Sequence, residues 1–203
     1  MDYHHPFVEN EYFHVFNRAN GSEQLFINEE NYRFFLSKVK HYILPVADLC
    51  SYALLPNHYH FLIRIKPLES LENTMINKQR INTKTGLDYT SQSLGNLQNS
   101  YAKSFNKVYH RKGSLFMNAV RRVMIQNEEQ FIAAVFYIHS NPVHHGLCNY
   151  MYEWKFSSFN SFYSEKSSLV SKHEVIDFFG SKRAFDEFHR QPIEIKNRAG
   201  SER

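Results

Sequence analysis

One stretch limits the possible folds more than any other: Leu54–Ile65, LLPNHYHFLIRI. Successive side chains on a β-strand point to opposite faces. Read as a strand, its Tyr59, Phe61, Ile63 and Ile65 share a face that is wholly apolar or aromatic and has to look into a core. The opposite face carries His58, His60, Leu62, Arg64 and, one residue on, Lys66. The preceding run VADLCSYALL, from Val46, reads as a second strand, joined to the first through Pro56–Asn57, and Pro67 closes the pair.

The other segments have helix and strand signals of their own. YFHVFN, Tyr12–Asn17, is aromatic and β-branched and reads as a strand. Asn28 caps a helix with acids in its first turn and Tyr32, Phe35, Val39 and Ile43 at helical spacing; Pro45 ends it. Residues 68–93 are polar and read as a short helix and a loop. Leu94, Leu97, Tyr101, Phe105 and Val108 make one stripe on a helix that Gly113 terminates. NAVRRVMI reads as a further strand, and NEEQFIAAVFYIHSNP as a helix that ends near Asn141–Pro142. EWKFSSFNSF is an aromatic segment able to pack across the domain. From Lys166 apolar residues thin out, with short helices within HEVIDFFGSKRAFDEFHR and a frayed tail, IEIKNRAGSER. Helices segregated from a mostly antiparallel sheet give an α+β class.

Composition excludes some functions and, through twelve histidines, weakly favours metal or proton chemistry. With 42% apolar residues and 16% aromatics in 203 residues, the chain has enough for a packed core. A net charge of +4 permits a polyanionic partner without requiring one. Cys50 and Cys148 have neither metal-ligand spacing nor the density of a disulfide scaffold, which fits a reducing interior. The N-terminal residues have no hydrophobic signal core, and no window approaches the ~20 apolar residues of a membrane span. The expectation is a soluble, cytoplasmic protein.

Two groups of residues bear on chemistry. His58 and His60 lie ~7 Å apart at Cα on one side of their strand, close enough to converge on one metal ion, although two histidines supply only part of a ligand set. The same pair also fits an ordinary polar strand face. Arg64 and Lys66 beside it suit an anionic substrate such as phosphate. Tyr101 lies on the apolar stripe of its helix, and such a tyrosine is usually a core residue whose hydroxyl finds a partner. Around and beyond it run Lys103, Lys107, His110, Arg111, Lys112, Arg121 and Arg122, interleaved with Phe105, Tyr109 and Phe116. Basic charge with aromatic stacking surfaces suits single-stranded nucleic acid.

Four stretches, LLPNHYHFLIRI, SYAKSFNKVYHRKGSLF, YIHSNPVHHGLC and WKFSSFNSF, stand in the order seen in the REP-associated tyrosine transposases. The chain resembles that family, part of the single-tyrosine HUH (His-hydrophobic-His) superfamily, from about Tyr12 to about Tyr163. The resemblance implies an antiparallel sheet flanked by helices, the HUH nuclease fold related to the ferredoxin-like arrangement. It implies a transposase domain over residues 1–165 and leaves open the role of a C-terminal extension, 166–203.

By the same resemblance, His58 and His60 would hold Mg²⁺ or Mn²⁺, and Tyr101 would attack a phosphodiester of single-stranded DNA near a hairpin. The products would be a 5′-phosphotyrosine and a free 3′-hydroxyl, and attack by another 3′-hydroxyl would rejoin strands. Related enzymes can complete the metal shell with a polar residue one turn after the tyrosine. Here that position is Phe105, so Asn106 stands as the third ligand, with Gln98 a lesser candidate and Tyr109 the rival nucleophile. Arg64, Lys66, Lys103, Lys107, Arg111, Lys112, Arg121 and Arg122 would contact DNA. His139, His144 and His145 read as helix-end and loop residues. A homodimer that exchanges tyrosines is compatible with the resemblance. So is a domesticated relative that grips hairpin DNA without cutting it. A water-using metal phosphodiesterase fits less well, because the sequence has no second His-x-His.

Overall fold

A computed structural model describes residues 5–71, 75–76, 79–80, 89–117 and 119–193. The chain runs β1 (Tyr12–Arg18), α1 (Glu29–Tyr42), β2 (Ala47–Leu55), β3 (His58–Ile65), a short hairpin of β4 (Met75–Ile76) and β5 (Gln79–Arg80), α2 (Tyr89–Val108), β6 (Arg121–Ile125), α3 (Glu128–His144), α4 (Lys172–Phe179) and α5 (Lys182–His189). Four strands form one antiparallel sheet in the order β2-β3-β1-β6. With α1 between β1 and β2, and α2 between β3 and β6, this is the βαββαβ winding of the ferredoxin-like arrangement.

Register decides which residues share a face. Phe13, Val15 and Asn17 stand opposite Ile63, Phe61 and Tyr59. That face packs on α1 and α2: Phe35 meets the rings of Tyr59, Phe61 and Tyr101. Asn28 caps α1 through a reciprocal pair of hydrogen bonds with Asn31, and Tyr32, Phe35, Val39 and Tyr42 turn inward. The expected apolar face of β3 is therefore the core face, as its alternation requires.

The second face is covered as well, by α3 and α4. His60 is 6% exposed and Leu62 is fully buried. Tyr12 packs edge-on against Phe131 of α3 and Phe178 of α4, which stack on each other at 3.9 Å. An apolar helix, FIAAVFYI, supplies this second layer.

Residues 166–193 pack onto this layer, and Val175, Phe179 and Phe185 are buried in the same core as the sheet. Polar groups fasten them too. Glu174 accepts from the Tyr12 hydroxyl and pairs with Arg64. A directed hydrogen-bond chain joins α5 to α3. The Phe185 carbonyl fixes the His189 proton on Nδ1, so His189 Nε2 accepts from His139 Nδ1. His139 Nε2 then accepts from the Ser158 hydroxyl, whose oxygen takes the Tyr52 N–H. Both imidazoles are satisfied in the neutral form, and burial holds His139 well below 6.5 and His189 at about 4.

Two boundaries differ from expectation. α2 starts at Tyr89, with Thr90 and Ser93 already buried, although polar residues dominate that turn. α3 passes Asn141–Pro142 and ends at His145–Gly146. Pro142 costs the helix one N–H but leaves its own carbonyl, which accepts from Leu147 N while Val143 O accepts from Gly146 N. Gly146, at φ +63°, supplies the left-handed residue this ending needs. The polar segment after Pro67 holds a short 3-10 turn, Leu68–Leu71, and the hairpin. Positions 72–74, 77–78 and 81–88, and the tail from 194, lie outside the described residues.

Candidate active site

β1, β3 and α3 bring a cluster together on the second face. His58 and His60 project side by side from β3, ring centroids 5.1 Å apart and planes perpendicular. On β1, His14 stands in the same layer, its Nε2 2.9 Å from His60 Nδ1. From α3, Tyr137 lies edge-on to His60 at 5.5 Å and to His14 at 5.8 Å. One turn on, the Asn141 Oδ1 reaches His58 Nε2 at 3.1 Å. His145, one turn further, packs on His58 at 4.8 Å. Residues 137, 141 and 145 share one helical face, since positions four apart stack.

The electrostatics of the cluster keep its inner imidazoles neutral. Burial holds His14 down to about 4 and His60 well below 6.5, and the neighbouring imidazoles of His14, His58 and His145 push His60 the same way. Both are neutral near pH 7. His60 uses Nδ1 on His14, so the nitrogen that remains for a ligand is Nε2. His58 Nδ1 lies 2.7 Å from Asn57 Oδ1, and its Nε2 faces Asn141 Oδ1. With the amides so oriented, both ring nitrogens meet acceptors, and a neutral imidazole has one N–H to give. A turned amide, a proton on His58 or a cation beside Nε2 each resolves the mismatch.

Those two donors fit a small divalent ion. Neighbouring ligands about 2.1 Å from an octahedral ion lie ~3.0 Å apart, and the observed separation is 3.1 Å. Among the described residues no three His, Cys, Asp or Glu side chains group as a metal site. The donor set is two imidazoles and an amide oxygen, and its nitrogens suit Mn²⁺ better than the oxygen-seeking Mg²⁺. His14 would orient His60, as the outer hydrogen-bond partner of a ligating histidine does.

Tyr101 does not join this cluster. It lies on the α1/α2 side of the sheet, 1% exposed, with its hydroxyl donating to the Leu25 carbonyl at 2.5 Å. Burial raises its phenol further above the usual 10, against any role as a nucleophile. The stripe spacing placed it in the core, and the core is where it is. Asn106 is likewise remote from the histidines: its amide donates to the Gly113 carbonyl and accepts from Arg111, pinning the end of α2. Gln98 donates to the buried Tyr59 hydroxyl, and Tyr109 donates to Asn31.

The expected DNA-binding cations divide into three groups. Arg64 pairs with Asp48 and Glu174 at the sheet–α4 junction, and Lys66 donates to the Leu44 carbonyl and lies near Asp48, tying β3 to the α1–β2 turn. Arg111 pairs with Glu23, and Arg122 donates to the His5 carbonyl and Ser91 while lying over the Phe7 ring. Lys103, Lys107, Lys112 and Arg121 are exposed; the two lysines of α2 stand on the far side of the sheet from the histidines, whereas Arg121 shares the histidine face.

Tyr137, Asn141 and His14 were missed in the sequence. The first two had a signal: a tyrosine with an amide four residues later, the spacing that Tyr101 and Phe105 fail to supply. Reading Asn141–Pro142 as a helix stop concealed it. His14 had none, because its place beside His60 depends on the β1–β3 register.

No family model matches the chain, and no curated protein does. Among solved structures, the fold is similar to that of a REP-associated tyrosine transposase bound to a REP hairpin, with a TM-score of 0.59 over 84% of this chain and 94% of that one, at 13% identity. Among the described residues, no helix is long and apolar enough to cross a membrane.

Proposed function

We propose that this chain is a metal-dependent enzyme that nicks and rejoins single-stranded DNA near hairpins, with Tyr137 as the nucleophile. The observation that carries the reading is the convergence of Tyr137 and Asn141, one helical turn apart, on the His58–His60 pair. The solved relative in fold acts in the same class of chemistry by name and was captured with a hairpin.

His58, His60 and Asn141 would hold Mn²⁺ or Mg²⁺, which when bound polarises a phosphodiester and lowers the barrier to attack. His14 keeps the His60 ring in place through their shared hydrogen bond. Tyr137 gives its phenol proton to solvent, and its Oη attacks phosphorus to form the O–P bond. The bond to the 3′-oxygen breaks, that oxygen takes up a proton as a 3′-hydroxyl, and the 5′-phosphate stays on Tyr137. Return attack by a 3′-hydroxyl restores the diester and frees the phenol. The covalent link conserves the bond energy, so no nucleotide cofactor is needed.

The test is a labelled hairpin oligonucleotide with a single-stranded flank, incubated with Mn²⁺ and run on a denaturing gel. Wild type and Tyr101→Phe give a slow-migrating covalent adduct, and Tyr137→Phe gives none. An adduct in Tyr137→Phe, or its loss in a folded Tyr101→Phe, refutes the assignment of the nucleophile. No adduct from any form on hairpins drawn from the host's repeats leaves the binding-only alternative.

A further inference from the structure

We propose that Arg18 and Arg121 hold phosphates of a single strand lying across the open half of the histidine face; this rests on the function proposed above. The sheet register places them there. Arg18 stands directly opposite His58 across the β1–β3 pair, where Cβ atoms lie about 5 Å apart. Arg121 stands opposite Phe16, which in turn stands opposite His60, so Arg121 lies two strand spacings from that histidine, ~10 Å. Directly opposed residues share a face. Both arginines are exposed.

The cover over this face is uneven. α3 packs on β2 and β3, and α4 with Glu174 seals the end at Arg64. Towards β6, an edge strand, the cover thins: Phe16 and Val123 are half-buried, and beside them stand the two arginines. The result is a shelf on which the Phe16 ring, stacked on His60 at 5.6 Å, stands beside the strand positions of Arg18 and Arg121. Guanidinium groups bind phosphate through paired N–H donors, and an aromatic surface stacks a base. An extended strand on this shelf brings one of its phosphates to the His58–His60–Asn141 cluster while its neighbours lie on Arg18 and Arg121. The lysines of α2, on the other side of the sheet, have no such continuity with the site.

Fluorescence anisotropy tests this with a labelled single-stranded flank carrying a hairpin, titrated between 50 and ~200 mM salt with Arg18→Gln, Arg121→Gln, Arg18→Lys and the α2 control Lys103→Gln. Each phosphate contact contributes about 0.7 to the slope of log K against log salt on single strands. Arg18→Gln and Arg121→Gln each lower the slope by about 0.7 and weaken binding roughly tenfold. Arg18→Lys keeps the slope, and Lys103→Gln changes neither quantity. At saturating DNA the rate of adduct formation is kept, so the loss falls on KM. Unchanged slopes in folded Arg18→Gln and Arg121→Gln, or the whole loss in Lys103→Gln, overturn the proposal. A wild type that forms the adduct with slopes indifferent to both arginines fails this inference alone. A wild type that forms no adduct but loses slope in the arginine variants fails the proposed chemistry and keeps the binding shelf.

Discussion

Acidification from pH 7 to 5 should destabilise this protein through its buried imidazoles. His14 and His189 are held at about 4 in the fold, mainly by burial, against 6.5 for an ordinary histidine. A lowered folded value means that the unfolded chain binds more protons between about 4 and 6.5, so stability is full above that window and falls with pH inside it. Integration from pH 7 to 5 gives a loss of about 2 kcal/mol for His189; His14, half-buried, adds a smaller loss of the same sign. His60 and His139 shift in the same direction and add to the loss. Against the 5–15 kcal/mol stability of a typical domain, roughly, this is a large share. Trp154, the single tryptophan, reports it: its Nε1 donates to the Leu54 carbonyl and its ring meets Tyr32 and Phe156. Urea unfolding followed by its fluorescence should give a free energy that falls from pH 7 to 5. In His189→Gln the slope near pH 5.5 should shrink by about 1 kcal/mol per pH unit. Stability that is flat or rising over that range would refute the reasoning. So would a His139 or His189 resonance that titrates near 6.5, since burial holds both imidazoles below that value.

Three further outcomes follow from the same geometry. His14→Ala leaves His60 without its Nδ1 partner and should weaken Mn²⁺ binding, measured by calorimetry, about 10- to 100-fold. Asn141→Asp puts a carboxylate beside His58 Nε2; it should tighten Mn²⁺ binding and raise the metal-free His58 pKa, both readable by calorimetry and NMR titration, whereas unchanged values would remove Asn141 from the site. Gly146→Ala forces a β-carbon onto a residue at φ +63°, and should lower the urea midpoint by an amount equivalent to about 1 kcal/mol.

The elements that were legible in the sequence are those set by local physics. Asn28 accepts the hydrogen bond its position suggested, and the alternation of β3 turned Tyr59, Phe61 and Ile63 into the core. Tyr101 was legible too, as a stripe residue, until the resemblance gave it a different role. What could not be read depends on pieces distant in sequence. The second face of the sheet looked polar because nothing in HYHFLIRIK shows that FIAAVFYI will cover it. His14 meets His60 through a register spanning 46 residues, and Asn141 meets His58 across 83. A helix's own periodicity fixes which residues share a face, but not which sheet that face will meet.

The sheet also explains why the basic helix and the histidine pair, each a sound signal, do not make one site. A side chain on β3 belongs to one face only, and a one-residue change in register would exchange the two faces entirely. Tyr59 locks that choice: its hydroxyl accepts from Gln98 of α2 while its ring packs on Phe35 of α1. With Tyr59 held on the α1/α2 side, His58 and His60 have to face α3, so Tyr101 of α2 is on the wrong side of the sheet to serve them. Tyr137 is the α3 tyrosine beside both His60 and His14, and the amide one turn beyond it is the one aimed at His58. The aromatic residue between the two histidines, unusual for its hydroxyl, thus acts as the register pin that assigns the pair to its side of the sheet.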